Sequence, residues 1–161
     1  MTKLLTEQAY RKIDRELAKF PSEQKQSAVM AALAIAQHER GWLEPEVMQE
    51  VADYLGMPAV AVLEVASFYS MFVTQPVGAQ KITVCTNLPC GLSGGNRAAQ
   101  YLKQKLGIEF GETTQDGKFT LVEGECMGAC GDAPVMLVNN ARMCSCMSDE
   151  RIDGLLEELK K

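Results

Sequence analysis

Apolar positions in the first seventy residues recur at helical spacing. From Thr6 to Phe20 they fall at Ala9, Ile13, Leu17 and Phe20, with Thr6 suited to cap the start and Pro21 to stop the run. A second helix is predicted from near Ser22 through Val29, Met30, Leu33 and Ile35 to Arg40, where Gly41 suits a left-handed terminus. Glu44-Pro45-Glu46 starts a third, with Val47, Val51, Tyr54 and Leu55 as its buried stripe and Gly56 as its end. Pro58 opens a fourth, Ala59 to about Ser67, which carries Val62, Leu63 and Val65 ahead of the aromatic run Phe68-Tyr69-Ser70-Met71-Phe72.

Helical spacing fails at Thr74-Gln75-Pro76-Val77-Gly78, which reads as a loop and a domain boundary. Beyond it the pattern changes. Lys81-Ile82-Thr83-Val84 is a β-branched strand ending at Cys85, and Gly94-Gly95 through Leu106 is a helix stopped by Gly107. Asp116-Gly117, between Thr113-Thr114 and Phe119-Thr120-Leu121-Val122, predicts a tight hairpin with positive φ at both turn residues. Val135-Met136-Leu137-Val138 follows as a fourth strand, and Ser148-Asp149-Glu150 caps a last helix ending on Lys160-Lys161. The halves differ in class: a helical region over 1–75 and a β-α-β-β-α unit over 76–161, together α+β.

At 161 residues the chain can bury a substantial core. Its net charge of −5 leaves no basic stripe to neutralise phosphates, which argues against a nucleic-acid partner. No apolar run approaches the ~20 residues of a bilayer span, and the first residues turn acidic too soon for a secretory signal, so a cytosolic chain without membrane insertion is expected. In a reducing compartment six cysteines point to metal or redox chemistry rather than to disulfides.

Four of those cysteines form two glycine-flanked pairs. Cys85 and Cys90 have four residues between them, Cys126 and Cys130 have three, and thirty-five residues separate the pairs. Such gaps allow a structural Cys₄ zinc site. An iron–sulfur centre is the stronger reading, because Gly91, Gly94, Gly95, Gly124, Gly128 and Gly131 crowd the pairs. A cluster needs close backbone approach and N–H donors to its sulfurs, which residues lacking Cβ permit most easily. Buried structural cysteines are the plain alternative. A thiol–disulfide enzyme fits less well, since neither pair has the usual two-residue gap.

Cys144 and Cys146, one residue apart, chelate one metal poorly and are expected to line the loop and start of the last helix. His38 reads as a solvated or capping side chain. Trp42 and the aromatic run read as core or interface. No dinucleotide fingerprint, Walker loop or His-Glu-x-x-His is present, so no catalytic residues are assigned.

Cys85-Thr86-Asn87-Leu88-Pro89-Cys90 with Gly94-Gly95, then Glu125-Cys126-Met127-Gly128-Ala129-Cys130 and Ala133-Pro134-Val135-Met136, closely resembles the thioredoxin-like 2Fe-2S subunit of the NADH dehydrogenase module of respiratory complex I. The resemblance extends to Gly41-Trp42-Leu43 and Ser67-Phe68-Tyr69. Met127 stands where that family usually has leucine, and Cys144 and Cys146 lie outside its four-cysteine pattern.

The resemblance implies an N-terminal helical bundle followed by a thioredoxin-like ferredoxin domain, with one 2Fe-2S cluster on Cys85, Cys90, Cys126 and Cys130. It implies a non-catalytic electron-transfer subunit of an NADH-quinone oxidoreductase. FMN and NAD would sit on a partner FMN/NADH-binding subunit, with further iron–sulfur subunits in the same complex. The implied location is cytoplasmic and, in a bacterium, peripheral to the inner membrane through the complex. Related subunits occur in NAD-linked hydrogenases and formate dehydrogenases, and a zinc-stabilised interaction module remains the alternative of a different class.

Overall fold

In the computed structural model, which describes residues 3–160, the chain divides into two compact units, Met1–Pro76 and Val77–Lys161. The first contains helices α1 (Glu7–Leu17), α2 (Val29–Arg40), α3 (Pro45–Leu55) and α4 (Ala59–Phe68). Local chemistry sets their ends. Thr6 caps α1, its hydroxyl oxygen accepting from the Ala9 amide at 3.3 Å while its proton goes to Glu39 Oε2 at 2.6 Å. Pro45 opens α3, and Gly41 and Gly56 end α2 and α3 at positive φ of 86° and 67°. Ile13, Leu33, Leu43, Val47, Val51 and Val62 are fully buried at their common core. Each such side chain contributes roughly 1.5–3 kcal/mol through burial.

Two expectations for this unit need correction. The predicted second helix is two pieces, a 3₁₀ segment Ser22–Ala28 and then α2, with Gln24 outside helical geometry at φ −117°, ψ 34°. The polar run Ser22–Ser27 buries only the Ala28 that follows it, so no apolar stripe holds a straight helix there. Tyr54 is not in the buried stripe of α3. It is 37 % exposed, its ring tilted against Tyr10 and its hydroxyl donating to Asp14 Oδ1 at 2.5 Å. On α4, which is apolar on all sides and so gives no periodicity from which to read an inner face, Val62 and Ala66 are buried and Leu63 is exposed.

The second unit is a four-stranded sheet in the order β2-β1-β3-β4, built from β1 (Gln80–Cys85), β2 (Phe119–Gly124), β3 (Met136–Val138) and β4 (Arg142–Cys144). β1 and β2 are parallel, linked through a short α5 (Leu88–Leu92) and the longer α6 (Gly95–Leu106); β3 and β4 add antiparallel. Ile82 and Val84 of β1 share a core with Ala98, Ala99 and Leu102 of α6 and Ile152, Leu155 and Leu156 of α7 (Asp149–Leu159). Ser148 caps α7, accepting from the Arg151 amide at 3.3 Å. The helix ends at Leu159, and Lys161 lies outside the described residues.

The predicted hairpin at Asp116-Gly117 is a wider turn. A single bridge joins Thr113 to Thr120, and Asp116 instead accepts from the Thr114 hydroxyl and the Lys118 amide, so that Gly117 alone takes positive φ. The true tight hairpin joins β3 to β4 at Asn139-Asn140, both at positive φ, 51° and 56°. Asparagine is among the few residues other than glycine to adopt this region readily. The turn is tied to β1, since the Lys81 amide donates to Asn139 Oδ1 at 2.7 Å and the Asn139 amide to the Lys81 carbonyl at 2.9 Å.

Candidate metal centre

Because β1 and β2 run parallel with Cys85 paired to Gly124, both strands end at one edge of the sheet and both cysteine loops leave from it. β3, antiparallel to β1 with Met136 opposite Val84, begins at the same edge. Sheet topology therefore brings together segments far apart in the chain: Cys85–Cys90, Cys126–Cys130 and Val135.

The first loop folds back through α5. Asn87 accepts from the Gly91 amide at 2.8 Å and Pro89 from the Ser93 amide at 3.1 Å. One short turn thereby directs Cys90 inward and leaves Leu88 and Leu92 exposed. Cys85 and Cys90 are buried with Val135, while Cys126 and Cys130 are exposed. Two contacts join the loops: the Thr86 hydroxyl donates to Glu123 Oε1 at 2.6 Å and Asn87 Nδ2 to Glu125 Oε2 at 3.4 Å.

The thiols act on one another across the pairs. Burial pushes the Cys90 thiol up, as does the adjacent Cys85, with Cys130 adding to the effect. The Cys126 thiol raises Cys130, helped by burial and by Cys85. Cys90 and Cys130, whose anions the neighbouring thiols disfavour, suit a cationic centre that neutralises them. Among the described residues no three His, Cys, Asp or Glu side chains form a single-ion cage; the thiols associate as Cys85 with Cys90 and Cys126 with Cys130.

Backbone geometry fits a bulky sulfur-bearing group. A Cβ on Gly95 would lie 2.8 Å from the carbonyl oxygens of both Cys85 and Cys90, so α6 can start against the first pair only through glycine. Gly128, at φ +72°, donates its amide to Cys126 Sγ at 3.5 Å. Gly131, by contrast, has open space around it and no such role.

Cys144 and Cys146 depart from the expectation that both line the loop. Cys144 is the last residue of β4, buried in the core under α7, and burial raises its thiol. Cys146 is exposed at φ 52°, its amide donating to the Asp132 carbonyl at 2.7 Å. His38 is exposed and Trp42 half-buried. The aromatic run divides: Phe72 is core, whereas Phe68 is 79 % exposed and Tyr69 40 %.

The sequence pattern did not reveal α5, the links from Thr86 and Asn87, or the place of Val135 beside Cys90. The Leu-Pro-Cys-Gly segment carries a Pro suited to a first helical turn, which is the one local signal for α5.

Comparison with known proteins agrees with this geometry. Residues 13–160 match the thioredoxin-like [2Fe-2S] ferredoxin family. The chain is 38 % identical over 148 residues to NADH-quinone oxidoreductase subunit 2 of Thermus thermophilus, covering 92 % of this chain and 82 % of that one. It is 43 % identical over 148 residues to an NADH-quinone oxidoreductase subunit of Rhizobium meliloti, covering 92 % and 86 %. Against the mitochondrial NADH dehydrogenase [ubiquinone] flavoprotein 2 of Dictyostelium discoideum it is 44 % identical over 130 residues, which is 80 % of this chain but only 53 % of that protein's length. A crystal structure of an NAD+-reducing [NiFe]-hydrogenase shares the fold at TM-score 0.69 and 24 % identity, over 80 % of this chain and 22 % of the other. With the family matched over nearly its whole length and two cysteine pairs at one sheet edge, the chain belongs to the thioredoxin-like [2Fe-2S] ferredoxins.

Proposed function

We propose that this chain is the electron-transfer subunit of an NADH-quinone oxidoreductase, with one 2Fe-2S cluster held by Cys85, Cys90, Cys126 and Cys130. The observation that carries the reading is the convergence of two glycine-held thiol pairs at the C-terminal edge of the parallel β1–β2 pair. When bound, the cluster supplies one-electron exchange. Cys85, Cys90, Cys126 and Cys130 would hold it, the first two buried and the last two exposed, and the Gly128 amide donates to Cys126 Sγ.

The proposed partner is a subunit that carries FMN and binds NADH, with further iron–sulfur subunits in the same complex. No described helix is long and apolar enough to cross a membrane, and the proposed place of the subunit is peripheral, on the cytoplasmic side of the complex. Val60, Leu63 and Phe68 lie on one exposed face of α4 and form the proposed docking surface of the helical unit. Phe72, at 7 % exposure, belongs to the core and is not part of it.

The test is to mix the purified protein with NADH, alone and with the flavin-bearing partner. Alone it should remain oxidised, since no dinucleotide fingerprint occurs in the chain. With the partner, reduction should proceed as far as the cluster's potential allows. Rapid bleaching by NADH without any flavoprotein would contradict the assignment.

A further inference from the structure

The sheet of the second unit has two unlike faces. Alternation sends Ile82, Val84, Leu121, Met136 and Val138 into the core shared with α6 and α7. The opposite face carries Lys81 and Thr83 of β1, Thr120 and Val122 of β2, Leu137 of β3 and Met143 of β4, set side by side by the strand register. None of these six belongs to that core. Val122 and Leu137 are half-buried and Met143 is 42 % exposed. A parallel pair such as β1–β2 is ordinarily covered on both faces, so a second face left this open is the exception.

Lys81 is the one charged residue at these register positions, and only 7 % of its surface is exposed. Lysine is almost never buried to this extent without a counter-ion. Among the described residues none forms an ion pair or hydrogen bond with its ammonium, and burial alone acts on it, holding it below the ordinary lysine range. The side-chain atoms of the described residues that are fully shielded and without a hydrogen-bond partner are Thr83 Oγ1 and Asp149 Oδ1. The Lys81 ammonium is not one of them, so its tip still reaches solvent while its stem is covered. A single cation on an otherwise neutral, largely apolar face is complementary to a single carboxylate on an apolar surface.

We propose that this sheet face is an interface for a different protein chain, which lays an apolar segment carrying one aspartate or glutamate across Val122, Leu137 and Met143 and pairs its carboxylate with Lys81. A second copy of this chain is the poorer occupant. A twofold contact brings the same residues to both sides, and none of the six is an anion, so two cations would share one apolar layer. The inference rests on the subunit reading above in needing a companion chain, and it concerns a surface other than the exposed face of α4.

The experiment uses the full-length chain and the complex it assembles into in its native host. A zero-length carbodiimide joins an amine to a carboxylate it already touches, and mass spectrometry of the treated complex should find Lys81 linked to an aspartate or glutamate of another subunit. Lys81→Met keeps an unbranched apolar stem and removes the charge. It should raise the concentration needed to rebind the complex stripped of this subunit about thirtyfold or more. Its urea midpoint as an isolated chain should stay level or rise, since an unpaired cation is costly to bury. A folded Lys81→Met chain that rebinds like wild type overturns the proposal, whatever its midpoint. If that variant does not fold, the cross-link on the wild type decides, and a complex in which Lys81 stays unlinked overturns it. An isolated wild type that sediments as a dimer, with Lys81 linked to the second copy, overturns the choice of a different chain. Wild type that co-purifies with no other subunit would defeat the subunit reading and this inference with it, whereas wild-type assembly by Lys81→Met defeats the inference alone.

Discussion

Cys85 and Gly124 stand opposite one another at the last register position of the parallel β1–β2 pair, so the strand that carries the first cysteine pair ends beside the strand that leads to the second. The absence of a side chain at 124 is a packing requirement. Thr83 Cγ2 already occupies the position of a Cβ there, and Met127 Cε is 3.2 Å from it.

Gly124→Ala is accordingly expected to destabilise the second unit by about 1–3 kcal/mol, the range for overpacking a tight site. The urea midpoint of the protein should fall, and cluster retention with it. Gly131→Ala, at a position with open space, is the control and should change neither.

The double variant Cys144→Ser/Cys146→Ser should keep full iron and sulfide. Neither thiol belongs to the two cysteine pairs at the sheet edge, although the loop bearing Cys146 is bonded to Asp132. Its cost should lie in stability instead, about 1 kcal/mol from placing a hydroxyl at buried position 144 and almost nothing from exposed position 146. Metal analysis and separate denaturation curves of the two single variants check both halves, and substoichiometric iron would reopen the ligand set.

Glu50 anchors the start of the helical unit, accepting from the Leu4 amide at 2.8 Å, the Leu5 amide at 3.2 Å and the Tyr10 hydroxyl. Burial pushes its carboxyl up, but the Tyr10 hydroxyl and the two amides together outweigh that and hold it below the ordinary glutamate range. A carboxyl depressed in the native state contributes stability that is fully present above its unfolded value, about 4.3, and is lost as pH falls through the native one. Glu50→Gln should cost roughly 1–3 kcal/mol at neutral pH. It should also show a smaller stability loss than wild type between about pH 6 and pH 3, read from urea midpoints; parallel profiles would count against the anchor.

What could be read from sequence was what local chemistry decides. Thr6 and Ser148 as caps, Gly41, Gly56 and Gly107 as helix ends, and the strand delivering Cys85 each depend on a few adjacent residues, and the structure has them in those places. The arrangements that escaped depend on distant partners. β4 is three residues long, and its pairing becomes visible only once Asn139-Asn140 turns the chain back on β3. Tyr54 looked buried by spacing, because periodicity alone cannot say how far a helix face reaches into a core. At the site, the cysteine motifs were plain in sequence, but the inner and outer character of the two pairs and the unpartnered Thr83 hydroxyl arise from sheet register.

The most direct test of the four-cysteine centre is elemental and spectroscopic analysis of the full-length protein beside its Cys126→Ala variant. Iron, acid-labile sulfide and zinc are quantified, and the visible spectrum is recorded before reduction and the EPR spectrum after. The wild type should contain about two iron and two sulfide per chain, absorb in the visible when oxidised and give one paramagnetic signal when reduced, while Cys126→Ala should lose most of its iron. A colourless wild type with about one zinc per chain, or a Cys126→Ala protein with undiminished iron, sulfide and visible absorption, would contradict it.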